Sequence, residues 1–249
     1  MAERHLIGSV QVTAGSFDAS LALVVQAART DNAEHVHFVN AYTIALAAGD
    51  PEYAKVLNDG LCFTDGVPVA WVGRRAYGSS AETWPRVYGP DVMAALLESD
   101  LRHYLLGSTP ATLQTLQDVI ACRWPQAAIV GAHSPPFRPL TDTERDAQDA
   151  AIRNSGAQLV WLGLGTPKQD WEAARVAVST GLTTLAVGAA FDFIAGTKPQ
   201  APRWMQRSGV EWGFRLASEP RRLAKRYLWG NPRFLMAVAR EPGFRKPRA

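Results

Sequence analysis

Apolar and polar positions alternate along the chain in blocks of two kinds. Five short apolar runs read as buried strands: HVHFV (35–39), HYLLG (103–107), AAIVG (127–131), LVWLGLG (159–165) and TTLAVG (183–188). Several end in glycine, as strands that feed tight turns do. Between them lie stretches with helical spacing: 18–30, 41–58 with a break at Pro51, 90–100, 110–123, 141–155 and 168–180. Thr141 or Asp142 can cap the 141–155 helix, and Thr109-Pro110 is a cap followed by proline at the first helical position. Strands and helices alternating at this spacing predict an α/β fold with a mainly parallel sheet. Ligands of such sheets bind beyond the carboxyl ends of the strands.

The pattern changes near residue 198. Beyond it the chain reads as helix in short pieces, punctuated by Pro or Gly at 202, 209, 220, 230 and 232. Charge breaks at the same place. Residues 1–197 hold 13 Lys/Arg against 20 Asp/Glu, a net of −7, whereas residues 198–249 hold 13 against 3, a net of +10. This division predicts a Rossmann-like α/β catalytic domain over 1–197, its sheet flanked by helices, and a basic helical appendage over 198–249. Trp204, Trp212 and Trp229 stand among Arg203, Arg207, Arg215, Arg221, Arg222, Lys225, Arg226 and Arg233, an amphipathic segment rich in arginine. Such a segment fits an anionic membrane surface, and it fits nucleic acid as well. The acidic body works against nucleic acid at any distance from the tail.

The 249 residues are 47% hydrophobic, enough for a full core and too many for a disordered or fibrous chain. Cys62 and Cys122 are too few for a disulfide framework, which points to a reducing cytoplasm. No stretch approaches the roughly 18–20 apolar residues that span a bilayer, and the N-terminal run lacks the apolar core of a signal peptide. The expectation is a soluble or peripheral protein.

Five stretches carry candidate chemistry. Asp65, in LCFTDGVPVA (61–70), follows an apolar run and precedes Gly66. At a strand end it suits a general base, and it equally suits the cap of a helix starting near Val67. GLGTPKQDW (163–171) follows a strand and opens a helix. There Gly165, Lys168 and Gln169 can meet a diphosphate at free backbone N–H groups, with Pro167 in the first helical position; an ordinary strand–helix turn is the other reading. Asn40, Tyr42 and Thr43 sit at another strand end, where they can bind a base, ribose or sugar, or Asn40 can cap a helix. Arg86, in a Trp/Pro/Gly-rich loop after 73–85, can close over substrate or pair on the surface. Asp192, between two aromatics in GAAFDFIAG, can contact a ligand or cap a turn. The five histidines lack metal spacing, although His35 and His37 share one strand face. No Asp-x-Asp, nucleophile elbow, Walker motif or complete dinucleotide fingerprint occurs, which disfavours a dinucleotide-dependent oxidoreductase.

Taken in order, NAYTIALA (40–47), TDG (64–66), RVYGPD (86–91), GLGTPKQDW (163–171), GAAFDFIAG (188–196) and APRWMQRSGVEWGFRLASEPRRLAKRYLWGN (201–231) resemble the WecG/TagA/CpsF glycosyltransferases, glycosyltransferase family 26. The resemblance implies an inverting, metal-independent transfer from a UDP-sugar, with no cofactor. The acceptor it implies is an undecaprenyl-diphosphate-linked amino sugar, in the synthesis of teichoic acid or another surface polysaccharide. Asp65 matches the position proposed as general base. Thr43, Arg86 and Gln169 match positions that handle substrate. The basic tail matches an appendage thought to dock on the inner face of the membrane, with Arg215, Arg222 and Arg226 as candidates for a diphosphate. Partners would then be the donor, the lipid-linked acceptor and the anionic membrane rather than nucleic acid, with homo-oligomerisation left open. Val67-Pro68 replaces the small residues usual after the Asp-Gly, and Asp170 stands where Glu is usual, so the sugar stays unassigned.

Overall fold

The computed structural model describes residues 3–30, 33–78, 83–239 and 241. In chain order the strands are β1 (Arg4–Ile7), β2 (Val10–Thr13), β3 (His35–Val39), β4 (Leu61–Thr64), β5 (Arg102–Gly107), β6 (Ala128–His133), β7 (Leu159–Gly163) and β8 (Thr183–Ala186). The helices are α1 (Phe17–Arg29), α2 (Ala41–Ala47), α3 (Pro51–Asp59), α4 (Val67–Tyr77), α5 (Gly89–Leu97), α6 (Pro110–Arg123), α7 (Asp142–Asn154), α8 (Lys168–Thr180), α9 (Ala190–Ile194), α10 (Arg203–Ser208), α11 (Glu211–Ser218) and α12 (Pro220–Val238). A six-stranded sheet has the order β4-β3-β8-β7-β5-β6, and the pairs β3–β8, β8–β7, β7–β5 and β5–β6 are parallel. The α/β, Rossmann-like expectation describes this fold.

The chain forms two compact units. One comprises residues 1–20, 38–88 and 199–249, the other residues 21–37 and 89–198. The second carries strands β5 to β8. Leu159 to Leu162 of β7 are fully buried, as expected of a parallel strand covered on both faces. Its core joins Tyr104, Leu106, Val160 and Leu162 to Ile152 of α7 and to Ala173 and Val176 of α8. At the carboxyl ends of β5 and β7 the backbones pass closely. A Cβ on Gly107 would lie 2.7 Å from the Gly163 carbonyl oxygen, and one on Gly163 would lie 2.6 Å from the Phe191 ring. Two glycines are required where these strands turn.

The first unit gathers both ends of the chain. The β1–β2 hairpin, α2, α3, β4 and α4 share one core with the tail. Ile7, Val12, Val39, Ile44, Leu57, Val69 and Trp84 pack with Phe234 and Val238 of α12. Gly230 lets α12 lie against α2, since a Cβ there would sit 3.0 Å from the Tyr42 ring. The far end of the tail is tied as well: the Gly8 N–H donates to Glu241 Oε1 at 2.8 Å. The residues beyond 198 therefore belong to the same unit as the N-terminal hairpin.

Several local expectations change. Ahead of the segment that bears Arg86, residues 73–77 form the last turn of α4, and residues 79–82 lie outside the described residues. Gly230 and Pro232 do not break the tail, because α12 runs through both for 19 residues. Pro232 costs one backbone hydrogen bond, and the burial of Phe234 and Val238 outweighs it. Pro167 is the residue before α8, which begins at Lys168.

Candidate functional site

Asn40 ends β3 and caps α2. Its Oδ1 accepts from the N–H groups of Tyr42 at 3.0 Å and Thr43 at 3.3 Å, and the Thr43 hydroxyl reaches back to the Asn40 N–H at 3.5 Å. The cap reading of Asn40 holds, and it places the side chain at the rim of a cavity. Asp65 follows β4. Its N–H donates to the Val39 carbonyl at 2.9 Å, and its own carbonyl accepts from Arg86 Nε at 2.7 Å. The cap of α4 is Gly66, with no side-chain cap bond, so the cap reading of Asp65 does not hold. The segment bearing Arg86 runs along β4 through Val87 N–H to the Thr64 carbonyl at 2.6 Å.

These groups line a cavity of about 350 Å³ within the first unit. The body supplies Asn40, Tyr42, Asp65, Gly66, Val67, Pro68 and Arg86; the tail supplies Glu211, Trp212, Arg215, Arg226, Tyr227, Asn231, Phe234 and Leu235, among others. Of the residues singled out in the sequence, Asn40, Asp65, Arg86, Arg215 and Arg226 come together here. Thr43 belongs to the same unit but is buried behind the cap, outside the lining. Arg222 is exposed on α12 and pairs with Glu219.

Charge in the cavity is arranged in two parts. Arg86 Nη2 meets Glu211 Oε2 at 2.6 Å, and the guanidinium lies 3.8 Å above the Tyr88 ring. Burial works against the Arg86 charge, but Asp65 and Glu211 outweigh it and hold its pKa above the ordinary arginine value. Burial, joined by the nearby Asp65 charge, raises the Glu211 pKa against the opposing pull of Arg86 and Arg215. Arg226 is different. Its Nη2 reaches Asn40 Oδ1 at 3.4 Å and its guanidinium lies 4.1 Å above the Tyr42 ring. Among the described residues its buried Nε finds no acceptor. Burial first, then the neighbouring Arg215 charge, lowers its pKa. A buried cation in that position favours an anionic ligand.

The remaining candidates lie in the second unit. The β7–α8 turn is closed by its own bonds: the Gly165 N–H donates to Gln169 Oε1 at 3.0 Å, and Gln169 Nε2 donates to the Ala186 carbonyl at 2.8 Å. Gln169 is buried and holds the turn, while Lys168 is exposed. Asp192 pairs with Lys198 at 2.9 Å and accepts from the Thr197 hydroxyl at 3.3 Å, fixing the segment after α9. His35 and His37 form a chain with Asp170: His35 Nδ1 to His37 Nε2 at 2.8 Å, then His37 Nδ1 to Asp170 Oδ1 at 2.9 Å. These histidines tie β3 to α8.

Sequence reasoning passed over Glu211 and Tyr227. Glu211 carried one signal, being the single acid between Lys198 and Arg215 in a basic stretch.

One cavity thus gathers the Asp65 carboxylate, the Arg86–Glu211–Arg215 cluster and the buried Arg226. The chain matches the Glycosyl transferase WecG/TagA/CpsF family over residues 5–248. It belongs to that family and is a glycosyltransferase.

Proposed function

We propose that this glycosyltransferase moves a sugar, of the N-acetylmannosamine type or a related hexose or uronic acid, from a UDP-sugar to an undecaprenyl-diphosphate-linked amino sugar. The transfer is inverting and metal-independent and serves a cell-surface polysaccharide or teichoic acid. The observation that carries this reading is the pairing, in one cavity, of Asp65 with the buried Arg226 and its neighbour Arg215. Asp65 takes the proton of the acceptor hydroxyl as that oxygen attacks the anomeric carbon from the face opposite UDP. The bond from the anomeric carbon to the diphosphate oxygen breaks, and UDP leaves with the electron pair. Arg215 and Arg226 offset the charge that grows on it, the electrostatic contribution that dominates many such reactions. For the β7–α8 turn the proposal narrows to Lys168, the exposed charge there, with Gly165 and Gln169 shaping the turn.

The tail supports a peripheral place on the inner face of the membrane. Among the described residues no helix is long and apolar enough to cross a bilayer. Trp204, Val210, Trp212, Leu228, Leu235 and Met236 are nevertheless exposed on a strongly basic segment. Trp212 and Leu235 also line the cavity, so its wall continues into apolar surface. Exposed aliphatic side chains favour a lipid interface over nucleic acid.

The test is Asp65→Asn. Turnover falls by at least a hundredfold, the lower end of what a positioned base contributes, while UDP affinity in calorimetry stays within about threefold. Full turnover in that variant removes the base assignment.

A further inference from the structure

Glu211 is a buried carboxylate delivered by the first turn of α11. A turn at Gly209, with φ of +80°, brings the chain to it, and Gly209 itself lies against Val67 at the start of α4. Glu211 thus enters beside the Asp65-Gly66 step. Its Oε2 holds Arg86 Nη2 at 2.6 Å, and the same guanidinium donates from Nε to the Asp65 carbonyl at 2.7 Å. One arginine is shared between the backbone of Asp65 and a carboxylate from the tail.

We infer that Glu211 is a positioning residue for the Asp65 site: it clamps Arg86 against the Asp65 backbone and neutralises that cation, so that Asp65 keeps the proton affinity of an effective base. The inference rests on the reading of Asp65 as the base. Without Glu211, Arg86 would face Asp65 uncompensated and draw its proton affinity down, and the direct repulsion between the two carboxylates would be lost as well. Both changes act in the same direction. Among the described residues, the charged and titratable groups facing this cluster are Arg86 and Tyr88 on the segment between α4 and α5, Arg215 on α11, Arg226 and Tyr227 on α12, and Tyr42 on α2. All of them stay in place in the variants below except Arg86 where it is itself changed.

The experiment reads the Asp65 carboxyl directly, by carbon-13 NMR of the full chain labelled at aspartate, with the resonance assigned through Asp65→Asn. Glu211→Gln keeps the shape and an acceptor oxygen for Arg86 but removes the charge. The titration midpoint of Asp65 then falls by about one pH unit, and Arg86→Gln moves it up by about as much. Glu211→Asp retains the charge and brings the midpoint back toward the wild-type value. In turnover, Glu211→Gln lowers kcat roughly threefold with KM little changed, as for a weakened base. An unmoved midpoint in a folded Glu211→Gln protein overturns the inference. So does an equal fall in Glu211→Asp, which would show shape rather than charge at work. If instead the midpoints move as stated while Asp65→Asn keeps full turnover, the charge network stands and the base assignment is what fails.

Discussion

Two adjacent residues of α12 separate the tail's packing from its proposed membrane contact. Phe234 is 6% exposed and packs in the core shared with the N-terminal hairpin, whereas Leu235 is 63% exposed. Phe234→Ala removes a buried ring that packs in this core on one side and lines the cavity on the other. The expected cost is about 3–5 kcal/mol, the range for burying and then deleting an aromatic side chain. Leu235→Ala removes exposed surface and costs less than about 0.5 kcal/mol. Urea unfolding followed by fluorescence and circular dichroism measures both. Leu235→Ala instead weakens co-sedimentation with vesicles containing anionic phospholipid, which Phe234→Ala affects only through unfolding. If Phe234→Ala costs less than about 1 kcal/mol, the tail is not part of the core and the cavity as described does not persist in solution. If Leu235→Ala leaves vesicle binding unchanged, that side chain is not at a lipid interface.

Arg226→Met keeps the apolar stem over Tyr42 and deletes the buried charge; UDP affinity falls about 10- to 100-fold, the worth of one charge-assisted contact, and unchanged affinity in calorimetry excludes Arg226 from the diphosphate site. His103 is fully buried, its Nδ1 accepts from Trp161 Nε1 at 3.1 Å, and burial lowers its pKa to about 4. Because the unfolded chain binds this proton more tightly, the stability that neutral His103 contributes is full above the ordinary histidine value of about 6.5 and is lost as pH falls from there to about 4. The loss amounts to something on the order of 3 kcal/mol over that window, and denaturant titrations of wild type and His103→Phe across it measure the difference.

The parallel sheet was legible because buried strands carry their signal in every residue: HVHFV and β3 coincide, and the break at Pro51 separates α2 from α3. The β1–β2 hairpin was not, since four-residue strands with mixed polarity leave no period to detect. In the tail, local propensity argued for breaks at Gly230 and Pro232, and the packing of Phe234 and Val238 overrode it. Asp65 could be read as cap or base from its neighbours alone; only the capping of α4 by Gly66 removes the first option. Glu211 escaped notice because its meaning lies in Arg86, far away in the chain, and no local pattern links the two.

The cavity wall is assembled from residues 40–86 and residues 206–235, so timing enters the protein's biology. A ribosome that has made the sheet has not yet made the site. Chains fold as they emerge, N-terminal portions first. Asp65 and Arg86 leave the ribosome well before α11 and α12 arrive to enclose them. The cavity is therefore unfinished until residue 235 has been translated, and a product that stops before α12 has no closed pocket.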